Sequence, residues 1–375
     1  MAEIFITRKV FRHVIDMLEK EGHAIDINDT DRILPARELV ERAHGKAGIV
    51  CLLNDRIDSW VMDELPSIKV ISNIAVGYDN IDITGATERG IMVTNTPGVL
   101  TETTADLAFA LLLGAARRIP EADRYTRAGK FKNWQLMQPH MGVDIYEKTL
   151  GIVGMGAIGQ AVAKRAKKGF DMRVVYYSSS RKESAEKEYE AEFVEFDKLL
   201  AKSDFISIHV PLTEKTKHMF SSREFKEMKH TAILINTARG PVVNEAALVE
   251  AIKDGQIRGA ALDVFEEEPS VHPELMELKE NVVLTPHIGS ASIETRLRMA
   301  KMAARNMVEG LKGNRPPNLG IHVPLTEKTK HMFSSREFKE MKHTAILICI
   351  FSYPQLIKNR GGICDVFKKK SAISQ

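Results

Sequence analysis

Cysteine is scarce: 375 residues carry three, Cys51, Cys349 and Cys364, with no CxxC spacing. That excludes a disulfide framework and a cysteine zinc site, and points to a reducing, cytoplasmic setting. Aromatics make up only 6% of the chain, and no stretch approaches the roughly 18 uninterrupted apolar residues of a membrane span. Glu3, Arg8 and Lys9 interrupt the start of the chain, so no signal peptide is read there. A charge excess of functional weight is also missing. Residues 321–375 hold ten Lys/Arg against four Asp/Glu, which leaves 43 basic and 46 acidic residues in 1–320. The formal net charge of +3 therefore belongs to the last 55 residues, and the body carries no basic footprint for nucleic acid.

Those last residues contain a copy. IHVPLTEKTKHMFSSREFKEMKHTAILI at Ile208–Ile235 recurs letter for letter at Ile321–Ile348. Stacking repeats diverge and occur three times or more, so 321–375 is read as an appendage, poorly ordered and dispensable for catalysis.

The body alternates short β-branched apolar runs with amphipathic stretches, which is the pattern of an α/β fold with parallel sheets covered by helices. Strands are expected at Ile4–Thr7, Gly48–Leu53 and Lys69–Asn73, and helices at Val10–Lys20 and Ala36–Ala43. Pro97 and Gly98 punctuate the chain before a long apolar helix, Thr101–Arg118, expected to cross into a second domain. A strand at Leu150–Val153, the glycines Gly154, Gly156 and Gly159, a helix at Ala157–Lys168 and a strand at Met172–Tyr177 then follow in register. This is the strand, GxGxxG and helix context of dinucleotide binding. The glycines allow a tight turn, close approach of a pyrophosphate and close helix packing, and the helix N-terminus favours the anion. Met155, Ala157 and Ile158 lie in the same turn.

At the end of the following strand, where an NAD site usually places an acid, stand Ser178, Ser179, Ser180, Arg181 and Lys182. Without a carboxylate to repel a 2′-phosphate, and with two cations to bind one, the pattern favours NADP(H), with NAD(H) as the other possibility. Three later segments each set an apolar run before polar residues: Leu234–Asn236 before Arg239, Ala260–Phe265 before Glu266–Glu268, and Val282–Leu284 before His287. Ligands of open α/β sheets bind at the carboxyl ends of strands, so these side chains should converge on the dinucleotide. An imidazole with a neighbouring carboxylate is a natural proton donor, and a guanidinium matches a carboxylate and polarises a keto oxygen.

The segments NIAVGYDNID (73–82), NTPGVLTETTAD (95–106), TLGIVGMGAIG (149–159), INTARGPVVNE (235–245), ALDVFEEEP (261–269) and TPHIGSAS (285–292) resemble the D-isomer-specific 2-hydroxyacid dehydrogenases. The likeness spans about residues 1–319 and is greatest to the glyoxylate/hydroxypyruvate and 2-ketogluconate reductase branch. It implies Arg239, Glu268 and His287 as the catalytic residues, Val76 and Gly77 as the grip on the substrate carboxylate, and Leu53 as pocket wall. It implies further cofactor contacts at Thr104, Pro211, Thr237, Ala238, Asp263, His287 and Gly289, with Asp263 at the nicotinamide carboxamide. The fold implied is a flavodoxin-like substrate domain from 1–98 and 289–320 and a Rossmann-type NADP-binding domain from 99–288, in a homodimer paired through Thr101–Arg118. Glu268 in place of glutamine disfavours the formate branch, and Ser178 in place of aspartate disfavours the phosphoglycerate branch. The activity implied is NADPH-dependent reduction of glyoxylate, hydroxypyruvate or 2-ketogluconate. The alternatives are a dinucleotide-sensing, corepressor-like regulator, or activity like that of D-3-phosphoglycerate dehydrogenase. No metal, membrane or nucleic-acid role is expected.

Overall fold

A computed structural model describes residues 1–319; the copied segment, Cys349 and Cys364 lie outside them. Two compact units divide at Asn95/Thr96 and at Ala300/Lys301. The sequence reading placed these crossings at 98/99 and 288/289. The second division falls inside the helix Ile293–Leu311, which begins four residues after the expected crossing and runs unbroken through the observed one.

The first unit holds β1 (Glu3–Ile6), β2 (Ala24–Ile27), β3 (Gly48–Cys51), β4 (Val70–Asn73) and β5 (Met92–Thr94). They form one parallel sheet in the order β2-β1-β3-β4-β5, the flavodoxin-like arrangement. β3 and β4 are buried throughout, as strands covered on both faces must be, and the one described cysteine, Cys51, is buried and free.

The second unit holds β6 (Thr149–Val153), β7 (Arg173–Tyr177), β8 (Glu192–Phe193), β9 (Phe205–Ile208), β10 (Ile233–Asn236), β11 (Gly259–Leu262) and β12 (Val282–Leu284). All pair in parallel, in the order β12-β11-β10-β9-β6-β7-β8. Counted within the unit this is the doubly wound 3-2-1-4-5-6 order extended by one strand, with its reversal between β6 and β9. Alternate residues feed opposite faces. Leu150, Ile152, Phe205, Ile233 and Ile235 join one core cluster, and Val153, Ile206, Ile208 and Leu234 join the other.

The long apolar helix observed at Thr101–Ala116 belongs wholly to this unit. It packs on the helix Ala157–Phe170 and over β10 and β11, with nine of its 16 residues buried. Its apolar surface is thus consumed in its own core. Among the described residues no helix is long and apolar enough to cross a membrane.

Candidate active site

The glycine turn sits at the carboxyl end of β6, where the strand order reverses. Its three glycines do three different things. Gly154 has φ +100, and an added Cβ would lie 2.6 Å from the His209 carbonyl oxygen. An added Cβ on Gly159 would lie 2.2 Å from the Gly154 carbonyl oxygen, so only glycine lets the helix pack back on the turn. Gly156 has nothing within 4 Å of its Cβ position, and it is exposed together with Ala157. The first and third glycines are required by the protein's own packing. The second leaves open space at a helix N-terminus whose amides point outward, which is the cradle a pyrophosphate fills. Ile158 is half-buried, whereas the Met155 side chain is fully buried in the core, so only its backbone is left for a ligand.

At the end of β7, Ser178 is half-buried and Ser179 and Ser180 are exposed. Arg181 is exposed and pairs with Glu186 at 2.6 Å; Lys182 donates from Nζ to Ser180 Oγ at 2.9 Å. Beyond β9, burial holds the imidazole of His209 down to about 3, although the residue keeps partial exposure, and Ser207 Oγ lies 2.8 Å from its Nε2. Pro211 is exposed.

β10 ends at Asn236, whose carboxamide accepts from Ala238 N at 3.0 Å and donates to the Arg239 carbonyl at 3.0 Å. This folds the Thr237–Arg239 turn on itself. Thr237 is buried, and among the described residues its Oγ1 has no hydrogen-bond partner. A buried orphan hydroxyl at the carboxyl end of a strand in the same sheet as the glycine cradle fits a polar ligand, and a dinucleotide is one. Gly240 then presses against the next loop so closely that a Cβ would fall 1.8 Å from the Phe265 carbonyl oxygen. Arg239 is thereby seated beside the acidic loop.

On that loop Glu266 and Glu268 separate by partner. Glu268 Oε2 lies 2.8 Å from His287 Nδ1, and its Oε1 accepts from Phe265 N at 3.1 Å. Glu266 instead lies 2.6 Å from His218 Nε2 and exchanges bonds with Glu245, each side chain accepting the other's backbone N–H at 2.8 Å. The run EEE gives no periodic signal to tell these apart, and the Glu245–Glu266–His218 brace was not read from the sequence.

His287 itself has φ +52, a left-handed conformation that costs a non-glycine residue about 1 kcal/mol and needs outside support. Asp263 supplies it. Its carbonyl accepts from His287 N at 2.9 Å, and its carboxylate takes Thr285 Oγ1 at 2.6 Å and the amides of Ile288 and Gly289 at 2.8 Å each. Burial pushes the Asp263 carboxyl up, opposed by these three donors. Thr104 is buried, with its Cγ2 3.5 Å from the Cβ position of Gly289. Asp263, Thr104 and Gly289 thus come together as a mount for the His287 turn.

In the first unit, Leu53 follows the end of β3, and Val76 and Gly77 follow β4; all three are half-buried. Neither the Val76 nor the Gly77 N–H donates a hydrogen bond among the described residues.

A sequence model of the D-isomer specific 2-hydroxyacid dehydrogenase NAD binding domain matches residues 109–289. The glyoxylate reductase of Thermococcus litoralis is 52% identical over 321 residues, covering 84% of this chain and 96% of that protein. The chain belongs to the D-isomer-specific 2-hydroxyacid dehydrogenases. The glyoxylate reductase of Korarchaeum cryptofilum is 51% identical over 317 residues, covering 84% of this dehydrogenase and 95% of that protein. A solved Thermus thermophilus protein matches with TM-score 0.79 and 44% identity, over 84% of this chain and 99% of its own. An NADPH-dependent glyoxylate/hydroxypyruvate reductase of Sinorhizobium meliloti, solved with NADP and malonate, matches with TM-score 0.77 and 30% identity, over 86% and 98%. This dehydrogenase is an oxidoreductase that uses a nicotinamide dinucleotide.

Proposed function

We propose that this dehydrogenase reduces small 2-keto acids to D-2-hydroxy acids, with glyoxylate and hydroxypyruvate as its principal substrates, 2-ketogluconate as a bulkier one, and NADPH as the preferred reductant. The observation that carries the reading is the His287–Glu268 pair at 2.8 Å, held beside Arg239 at the carboxyl ends of adjacent strands of the dinucleotide-binding unit. The cofactor, when bound, supplies the hydride. The protein must then hold the keto acid and deliver a proton. With Nδ1 facing Glu268, the other ring nitrogen of His287 is left to protonate the developing alkoxide, and Phe265 N keeps the carboxylate from turning away. Arg239 offers a planar fork to the substrate carboxylate and its keto oxygen. Within the first unit, the unengaged N–H groups of Val76 and Gly77 suit a carboxylate, and Leu53 suits an apolar group.

NADPH preference is supported by the absence of an acid at the end of β7. Arg181 is held by Glu186, but an exposed ion pair is worth at most about 1 kcal/mol, so a phosphate dianion can displace it. A charge-assisted phosphate contact is worth about 1.5–3 kcal/mol, which is roughly tenfold or more in kcat/KM. Comparing kcat/KM for NADPH and NADH with glyoxylate tests both parts. NADPH should win, and Ser178→Asp with Arg181→Ala should reverse the order. Equal efficiency with both cofactors overturns the preference, and no turnover of glyoxylate or hydroxypyruvate with either overturns the reading.

A homodimer fits the exposed apolar side chains Phe131, Trp134, Leu136, Met137 and Met141 better than the buried Thr101–Ala116 helix. Sedimentation of the Trp134→Ser, Leu136→Ser variant should give a lighter species than the unmutated protein.

A further inference from the structure

We infer that three asparagines of the first unit, Asn73, Asn80 and Asn95, are positioning residues that aim the carboxylate-gripping amides, with Asn95 acting most directly. The inference rests on the proposed role of Val76 and Gly77. A peptide group is planar and trans, so the C=O of one residue points opposite to the N–H of the next. Asn95 Nδ2 donates to the Val76 carbonyl at 2.8 Å, which turns the Gly77 N–H to the other side. Asn73 Nδ2 donates to the Gly77 carbonyl at 3.0 Å and fixes the following peptide in the same way. Both carbonyls are thus held by asparagine side chains, and the free donor of Gly77 is presented away from Asn95.

The same network reaches the proposed pocket wall. Asn80 Oδ1 accepts from Asn73 Nδ2 at 3.1 Å, and Asn80 Nδ2 donates to the Leu52 carbonyl at 3.1 Å and to the Asp55 carbonyl at 2.9 Å. Asp55, buried, closes that turn by accepting from Leu52 N at 2.8 Å. Leu53 therefore lies inside a turn tied to the Gly77 loop through one side chain. A carboxamide is the side chain for this position, because it can accept from one neighbour while donating to two. Asn95 is itself anchored: Asn306 Nδ2 donates to its carbonyl at 3.1 Å, and its N–H donates to Asn318 O at 3.3 Å.

A purely structural role would show as lost stability with kcat and KM of the surviving enzyme unchanged. A positioning role separates the two constants. Asn95→Leu, similar in size but without a donor, should raise KM for glyoxylate about tenfold, the worth of one charge-assisted hydrogen bond, and change kcat less than about twofold. The inhibition constant of oxalate, a dicarboxylate that is not reduced, should rise by the same factor, and the Kd of NADPH should stay as it was. Asn95→Asp, of the same shape, replaces it if the leucine variant does not fold. An unchanged KM and oxalate constant in a folded variant overturns the inference, as does a rise in KM without a rise for oxalate. Failure of the unmutated protein to reduce glyoxylate is a separate outcome, which overturns the proposed function on which the inference rests.

Discussion

The two units carry parallel sheets of closely related topology, yet their strand-order reversals hold opposite chemistry. In the seven-stranded unit the reversal between β6 and β9 is emptied by glycine, and a 14-residue helix, Ala157–Phe170, begins directly behind it. In the five-stranded unit the reversal lies between β1 and β3, and it is filled. Thr7 Oγ1 donates to Asp55 at 2.5 Å, Arg8 lies 3.4 Å from the same carboxylate, and Asp55 is 1% exposed. The helix behind that turn starts only at Arg12 and has no side-chain cap. A buried carboxylate and its partners leave no place for a phosphate, so the same topology that receives a dinucleotide in one unit is a closed polar plug in the other. The residues in the first strand-to-helix turn set the ligand, and the strand order sets only where it can lie.

Loss of the proton donor should produce the largest effect. His287→Ala removes a general acid, worth about 10²–10⁴ in kcat, while the NADPH Kd measured by fluorescence titration should change little, because the cradle and the end of β7 are untouched. Arg239→Lys keeps the charge but loses the fork, and kcat/KM for glyoxylate should fall about 10–100-fold in steady-state assays. No substitution at Arg8, the cation in the filled strand-order reversal of the first unit, should lower kcat/KM in the same way. The next effect is on stability in acid. With its imidazole held near 3 in the fold and near 6.5 in the unfolded chain, His209 leaves the unfolded state binding more protons between those values, so stability falls as pH drops below about 6.5. At pH 5 the loss is at most about 2 kcal/mol, given the residual exposure, and urea titrations of His209→Asn at pH 7 and pH 5 should show a smaller difference between the two pH values than the unmutated protein. The smallest effect is that of truncation after Leu319. All twelve described strands and the candidate catalytic residues Arg239, Glu268 and His287 lie before the cut, so kcat/KM should stay within about twofold.

How far these features could be read from the sequence differs between the units for a physical reason. The βαβ segment of the second unit was legible nearly to the residue, with its helix expected at 157–168 and found at Ala157–Phe170, because GxGxxG fixes the turn and the flanking strands are buried on both faces. β12 fell where the apolar run put it, at Val282–Leu284. In the first unit the edge strand β2, AIDI, was missed, since a half-exposed edge needs no continuous apolar run. Among site residues, Arg239, Glu268 and His287 were named from segments that the structure brings together, but what holds them was not. The mount built by Asp263, the Glu245–Glu266–His218 brace and the asparagine network depend on contacts between residues as far apart in the chain as His218 and Glu266. Such pairings leave no local period or spacing to read.

The open glycine of the cradle is where the dinucleotide assignment is most exposed to test. Gly156 has nothing within 4 Å of its Cβ position, so Gly156→Val should fold and melt within a few degrees of the unmutated protein. The added side chain would occupy the space assigned to the pyrophosphate. Titration with NADPH should therefore show at least about a hundredfold weaker binding, as two charge-assisted contacts of about 1.5 kcal/mol each are lost. A folded Gly156→Val protein that binds NADPH as tightly as before would contradict the assignment of the dinucleotide to this turn.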